Sequence, residues 1–181
     1  MTVVITGSRR ASELAHLITS FGGKPYLAPT VGIEARQDIS KETELFINKI
    51  LEERIDYVVF MTGPAVYSLM STAKNLGIEK KFVEALQQTT VIARSLKPKI
   101  ALTNHGVKTD IMPEENTAEG ITNLLKSFSL VGRNVAVLWH GSYSPLIKNE
   151  LQALGAQVFE SSTYRYSLEL KESGARILEM M

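Results

Sequence analysis

Apolar residues along this chain fall into two alternating patterns: short unbroken runs, and stripes spaced three and four positions apart. Thr2–Thr6 (TVVIT) is β-branched and continuous, which predicts a strand buried on both faces. A helical stripe follows, with Leu14, Leu17, Ile18 and Phe21 on one face and Gly22 as the stop. KPYLAPTVGIEA then reads as extended, and its two prolines suit an edge or connector. SKETELFINKILEER predicts an amphipathic helix capped by Ser40, with Leu45, Phe46, Ile50 and Leu51 inward. YVVF is a strand and Ala65–Leu76 a helix with Val66, Leu69, Met70 and Ala73 on one stripe. Next come a strand at Thr89–Ala93, a short helix ending near Gly106, and a brief strand in VKTDIMP. Thr117 caps a helix that turns Ile121, Leu124, Leu125 and Phe128 inward. Asn134–Trp139 is another buried strand, followed by a helix with Ser144 as cap and Pro145 at its first position, closing at Gly155. QVFESSTYRYSLEL is extended, and SGARILEMM begins a last helix.

Strands alternating with helices predict an α/β fold with a parallel sheet covered on both faces. Two stretches share one plan. Val3–Thr30 and Val135–Thr163 each run strand, Gly-Ser turn, helix, glycine and extended segment, with the terminal glycines Gly22 and Gly155 lying 133 positions apart. The simpler reading is that any two strand–helix–strand units look alike.

Parallel sheets bind ligands beyond the C-terminal ends of their strands. Four joints between strand and helix fall there: Thr6-Gly7-Ser8-Arg9-Arg10, Thr62-Gly63-Pro64, Arg94-Ser95 and His140-Gly141-Ser142. Free N–H groups and the positive helix end favour anions at such joints. Glycine permits close approach, hydroxyls donate, and Arg9 and Arg10 match carboxylates in a forked geometry. Each joint taken singly is equally a helix cap. Tyr164 and Tyr166 flank Arg165 in the extended segment, where a tyrosine can donate a proton or simply pack on the sheet.

Composition narrows the function classes. With 20 basic and 19 acidic residues the formal net charge is +1, which argues against a general nucleic-acid binder. No cysteine is present, so disulfide and thiolate chemistry are excluded. No apolar run approaches the roughly 20 residues of a membrane span, and the N-terminal charges follow the apolar residues, the reverse of a secretory signal. A cytoplasmic protein is expected. GSRRAS is not a dinucleotide fingerprint, a P-loop is absent, and His16, His105 and His140 lack metal-ligand spacing, so no metal and no nucleotide are expected.

Four stretches, in this order, resemble the uroporphyrinogen-III synthase family: Val3–Ala35, DYVVFMTGPAV, VIARSLKPKIALTNHG and Asn134–Tyr166. Thr62 falls at the family's serine in the second stretch. In the third, Ser95 stands where the family has glycine and Pro98 where it has threonine. In the fourth, His140 replaces a frequent arginine and Tyr164 falls at the family's tyrosine. Each motif is loose; the likeness lies in their order and spacing, over nearly the whole chain.

The resemblance implies flavodoxin-like parallel sheets in two α/β domains joined by an extended two-stranded connector. Residues 37–160 would form a complete domain, and residues 1–36 with 161–181 a partial one. By the repeat offset a full second copy would end roughly 80 residues later. Three outcomes are open: a shortened relative without synthase activity, a homodimer whose partial domains complete each other, or an active minimal synthase. The implied function is cyclisation of hydroxymethylbilane, a linear tetrapyrrole, with inversion of its last ring, a lyase step of tetrapyrrole and heme biosynthesis. It needs no cofactor, nucleic acid or membrane. Arg9, Arg10, Thr62, Gly63, Ser95, His140, Gly141 and Ser142 would hold the substrate, and Tyr164 would assist loss of its hydroxyl. A different class of reading is a non-catalytic module that binds an anion or tetrapyrrole. A receiver domain lacks support, because no acidic pair follows the first strand.

Overall fold

The computed structural model describes every residue except 8, 9, 30, 35, 36, 140, 142, 164 and 169–181, with side chains left aside at 31–34, 37–40 and 165–168. It is α/β with parallel sheets, and it divides into two compact units, Met1–Glu34 with Tyr166–Met181, and Ala35–Arg165.

In the first unit β1 (Thr2–Ile5) pairs in parallel with β2 (Lys24–Leu27), joined by helix α1 (Ala11–Ser20). Strand β3 (Val31–Glu34) pairs with β8 (Arg165–Leu168). The stripe expected to be buried on α1 is not: Leu14, Leu17 and Phe21 are 46%, 54% and 83% exposed. A two-stranded sheet offers too little surface to cover a helix face.

The second unit is built on four parallel strands in the order β5-β4-β6-β7. They are β4 (Tyr57–Phe60), β5 (Thr90–Ala93), β6 (Asn134–Trp139) and β7 (Gln157–Ser162). Alternate residues supply two cores, as a sheet covered on both faces requires. Val58, Phe60, Val91, Ala93, Ala136 and Leu138 face one core, under α2 (Gln37–Glu52), α3 (Gly63–Asn75), α4 (Glu79–Leu86) and α5 (Leu96–Asn104). Val59, Ile92, Val135, Val137 and Trp139 face the other, under α6 (Ala118–Lys126) and α7 (Pro145–Ala153).

Several details differ from the sequence reading. Helix α2 begins at Gln37, so Ser40 is not its cap; no Gly or Pro interrupts the turn before it. Its buried stripe is Thr43, Phe46, Ile47 and Ile50, a regular i, i+3, i+4, i+7 set, and that rotation leaves Leu45 69% exposed. Helix α4 has no counterpart among the elements the sequence pattern predicts. It has eight residues, no side-chain cap and only Phe82 and Leu86 buried, so its periodic signal is slight. VKTDIMP forms one parallel bridge, Ile92 to Ile111, not a strand. The Asp110 carboxylate accepts the Val91 N–H (2.9 Å), taking a donor that a ladder would need. The tail expected to start a helix lies outside the described residues.

One carboxylate ties the strand starts together. Asp56 accepts the Asn134 N–H (2.9 Å) and an Arg133 N–H (2.8 Å). Its own amide donates to the Asn134 carbonyl (3.0 Å), and its carbonyl accepts the Thr90 N–H (2.9 Å). Burial alone would raise the Asp56 carboxyl, but the Asn134 amide, Arg133 and Arg54 outweigh it and hold it below the usual carboxylate range. A group depressed in the folded state adds stability above its unfolded value and loses it as pH falls through the folded value. Asp56→Asn is therefore expected to cost about 1–3 kcal/mol at neutral pH. In urea titrations the deficit should shrink as pH falls through and below the ordinary carboxylate range; a pH-independent deficit would rule out the ionic part of the clamp.

Candidate functional site

Residues Phe60, Ala93 and Leu138 lie level across β5, β4 and β6. The ladder continues one step further, with the Arg94 N–H donating to the Phe60 carbonyl (3.0 Å) and the Met61 N–H to Leu138 (3.1 Å). Helices α3, α5 and α7 therefore start from one edge of the sheet.

At the first start, Thr62 is the extended N-cap of α3, and its hydroxyl oxygen accepts the Ala65 N–H (3.4 Å). A hydroxyl that accepts still has its proton to donate. Gly63 is buried, and a Cβ there would stand 3.1 Å from the Lys97 carbonyl oxygen, so α3 and α5 begin in contact and leave no room for a side chain. Ser95 caps α5 without a side-chain bond to the helix. Gly141 turns the chain after β6 at φ 64°, in the left-handed region that favours glycine. Ser144 precedes α7, again without a side-chain cap.

Charge separates these helices from their neighbours. The first turns of α3, α5 and α7 carry no acidic residue, whereas those of α4 and α6 carry Glu79 and Glu119. An acid in the first turn normally offsets the positive helix end. Here α5 instead has Lys97 in its first turn and Arg94 just before its cap. The Arg94 Nε is buried and has no hydrogen-bond partner.

The hydroxyls ending β7 are already engaged. Ser161, Ser162 and Thr163 are buried. The Thr163 carbonyl accepts the Ser68 hydroxyl (3.3 Å), its own hydroxyl donates to the Ala65 carbonyl (3.5 Å), and Ser161 donates to the Glu42 carbonyl (3.5 Å). The Glu42 carboxylate accepts the Ser162 N–H (3.3 Å) and the Tyr143 hydroxyl. Beside them Glu160 accepts the Trp139 indole N–H (2.8 Å) and pairs with Lys148 (3.1 Å). Tyr143, Pro145, Lys148, Asn149 and Glu160 line an open concavity of about 400 Å³.

Of the residues singled out in the sequence, Thr62, Gly63, Ser95 and Gly141 share this edge. Arg9, His140, Ser142 and Tyr164 lie outside the described residues. Arg10 belongs to the first unit, where it is the left-handed N-cap of α1 and its Nε donates to Glu13 (2.7 Å). His16 is exposed, and His105 ends α5 with its Nδ1 3.5 Å from Glu79. Arg94 enters the sequence pattern only as part of the Arg94-Ser95 joint; the signal that marks it is a cation directly before a helix cap with no acid following. Among the described residues no group of three acidic or histidine side chains could hold a metal, and no helix is long and apolar enough to cross a membrane.

The family model described as uroporphyrinogen-III synthase HemD matches residues 12–179. The uncharacterized protein YjjA of Bacillus subtilis is 28% identical over 175 residues, covering 97% of this chain and 64% of that protein. A Methanothermobacter thermautotrophicus protein, provisionally named a uroporphyrinogen-III synthase, is 28% identical over 162 residues, covering 88% of this chain and 59% of its own. A mutant uroporphyrinogen III synthase of Thermus thermophilus has a similar fold, with a TM-score of 0.79 at 23% identity over 99% of this chain and 67% of that one. This chain thus spans less than two thirds of the length of the curated relatives it matches. The match of the family model along almost the whole chain, on a fold shared with a solved synthase, places it: the chain belongs to the uroporphyrinogen-III synthase HemD family.

Proposed function

We propose that this chain is a uroporphyrinogen-III synthase that binds hydroxymethylbilane at the edge where α3, α5 and α7 begin. The observation that carries the reading is the meeting of the α3 and α5 starts at Gly63, with no acid in either first turn. Such an edge is unfavourable by itself and suits a ligand rich in carboxylates. Thr62 and Ser95 supply hydroxyls there. Leu96 and Leu146, both exposed in the first turns of α5 and α7, offer apolar contact for pyrrole rings.

In this reading the substrate loses its terminal hydroxyl as water. The substituted carbon of the last ring attacks, and the spiro intermediate fragments and recloses with that ring inverted. The chain mainly positions the two ends of the substrate. Tyr164 supplies the proton for the departing hydroxyl. Its neighbour Thr163 is tied to Ala65 and Ser68 of α3, the helix whose N-cap is Thr62.

A second reading, a catalytically inactive tetrapyrrole-binding relative, draws on one observation. Pro98, buried in α5, brings no hydroxyl where the resemblance calls for threonine. A homodimer belongs with the proposal for the first unit, whose exposed Leu14, Leu17 and Phe21 would be covered by a second copy.

The deciding assay supplies hydroxymethylbilane and separates the uroporphyrin isomers. Type III above the non-enzymatic background is expected; type I alone would leave the binding module as the reading. Tyr164→Phe should lower kcat by about a hundredfold with KM nearly unchanged, and a variant as fast as the parent removes Tyr164 from the chemistry. Thr62→Val should weaken tetrapyrrole binding by about 1–3 kcal/mol. If only the unfolding midpoint moves and affinity does not, Thr62 is a helix cap.

A further inference from the structure

We propose that Arg94 is an ion-pairing residue of this edge, holding one carboxylate of the ligand between its guanidinium and the first turn of α5. The identity of the ligand rests on the tetrapyrrole reading; the site rests on the geometry of this chain. The Arg94 Nε is buried without an acceptor. A buried donor left unmade is costly, and such atoms in native structures answer to a water, an ion or a ligand. Other cations of the same unit have found carboxylates: Arg133 with Asp56, Lys126 with Glu150, Lys148 with Glu160. Arg94 has none among the described residues. Nor is it placed by a loose loop, because its N–H is bonded to the Phe60 carbonyl and it follows β5 directly.

Its surroundings point the same way. Lys97 follows in the first turn of α5, no acid answers either cation there, and the Ser95 hydroxyl makes no cap bond. A guanidinium presents two parallel donors to a carboxylate, which an ammonium cannot do.

The test uses uroporphyrin III as a stable carboxylate-bearing probe, titrated against the full chain, Arg94→Gln and Arg94→Lys at several salt concentrations. Thermal unfolding checks that each variant is folded. Arg94→Gln is expected to bind about tenfold more weakly with a shallower salt dependence, and Arg94→Lys to recover part of the affinity. If the parent binds and Arg94→Gln binds equally with the same salt slope, the Arg94 proposal is overturned while the tetrapyrrole reading stands. If the parent binds no uroporphyrin, that reading fails, and the Arg94 Nε–H resonance of the parent decides the site. A saturable shift with citrate or inorganic phosphate keeps an anion site at Arg94, and no shift removes it. The same resonance decides the case if Arg94→Gln does not fold.

Discussion

Three strands of the four-stranded sheet begin at the Asp56 carboxylate or at the peptide that carries it. The side chain holds the start of β6 through the Asn134 amide and Arg133, and the carbonyl holds the start of β5 through Thr90. Parallel strands have no hairpin to set their register, so a polar clamp at one end substitutes for a turn. With the starts level and similar numbers of residues to the far side, β4, β5 and β6 also release the chain at one level. The edge from which α3, α5 and α7 start is thus set by an interaction at the opposite edge of the sheet.

What stands at that edge is unusual in charge more than in shape. Helix starts are ordinarily quieted by an acid in the first turn, as Glu79 and Glu119 do for α4 and α6. The three helices that leave the sheet directly have no such acid, and Gly63 lets two of them begin in contact. Stability would be better served by a glutamate in place of Lys97. Its absence, with Arg94 beside it, leaves the positive end of α5 uncompensated, and the anion-binding proposal draws on that.

Much of the architecture was legible in the residues. The runs YVVF, TVIA and NVAVLW are β-branched or apolar throughout and could only be strands covered on both faces; they became β4, β5 and β6. Thr62 and Thr117 announced α3 and α6, and both side chains accept an amide of the first turn. The failures have equally local causes. Leu45 and Ile47 are both apolar, and only the packed stripe through Thr43 and Phe46 tells which faces inward. Helix α4 is too short for its period to stand out. The stripe on α1 is apolar yet exposed, because burial depends on how many strands lie beneath a helix, which its own residues do not encode. At the candidate site, Thr62, Gly63 and Ser95 could be read as a strand-end joint, but the missing partner of the buried Arg94 Nε is a three-dimensional fact.

The order of the two units along the chain has a consequence for synthesis. The first unit is assembled from Met1–Glu34 and a segment from Tyr166 on, with all of Ala35–Arg165 between them. On the ribosome β3 is made early, and its partner β8 emerges only after the entire second unit has been translated. Bringing those ends together across an unfolded chain carries the entropy of closing a long loop, whereas a second unit already folded has closed most of it. Translation thus completes the inserted unit before the chain that closes the first unit is made.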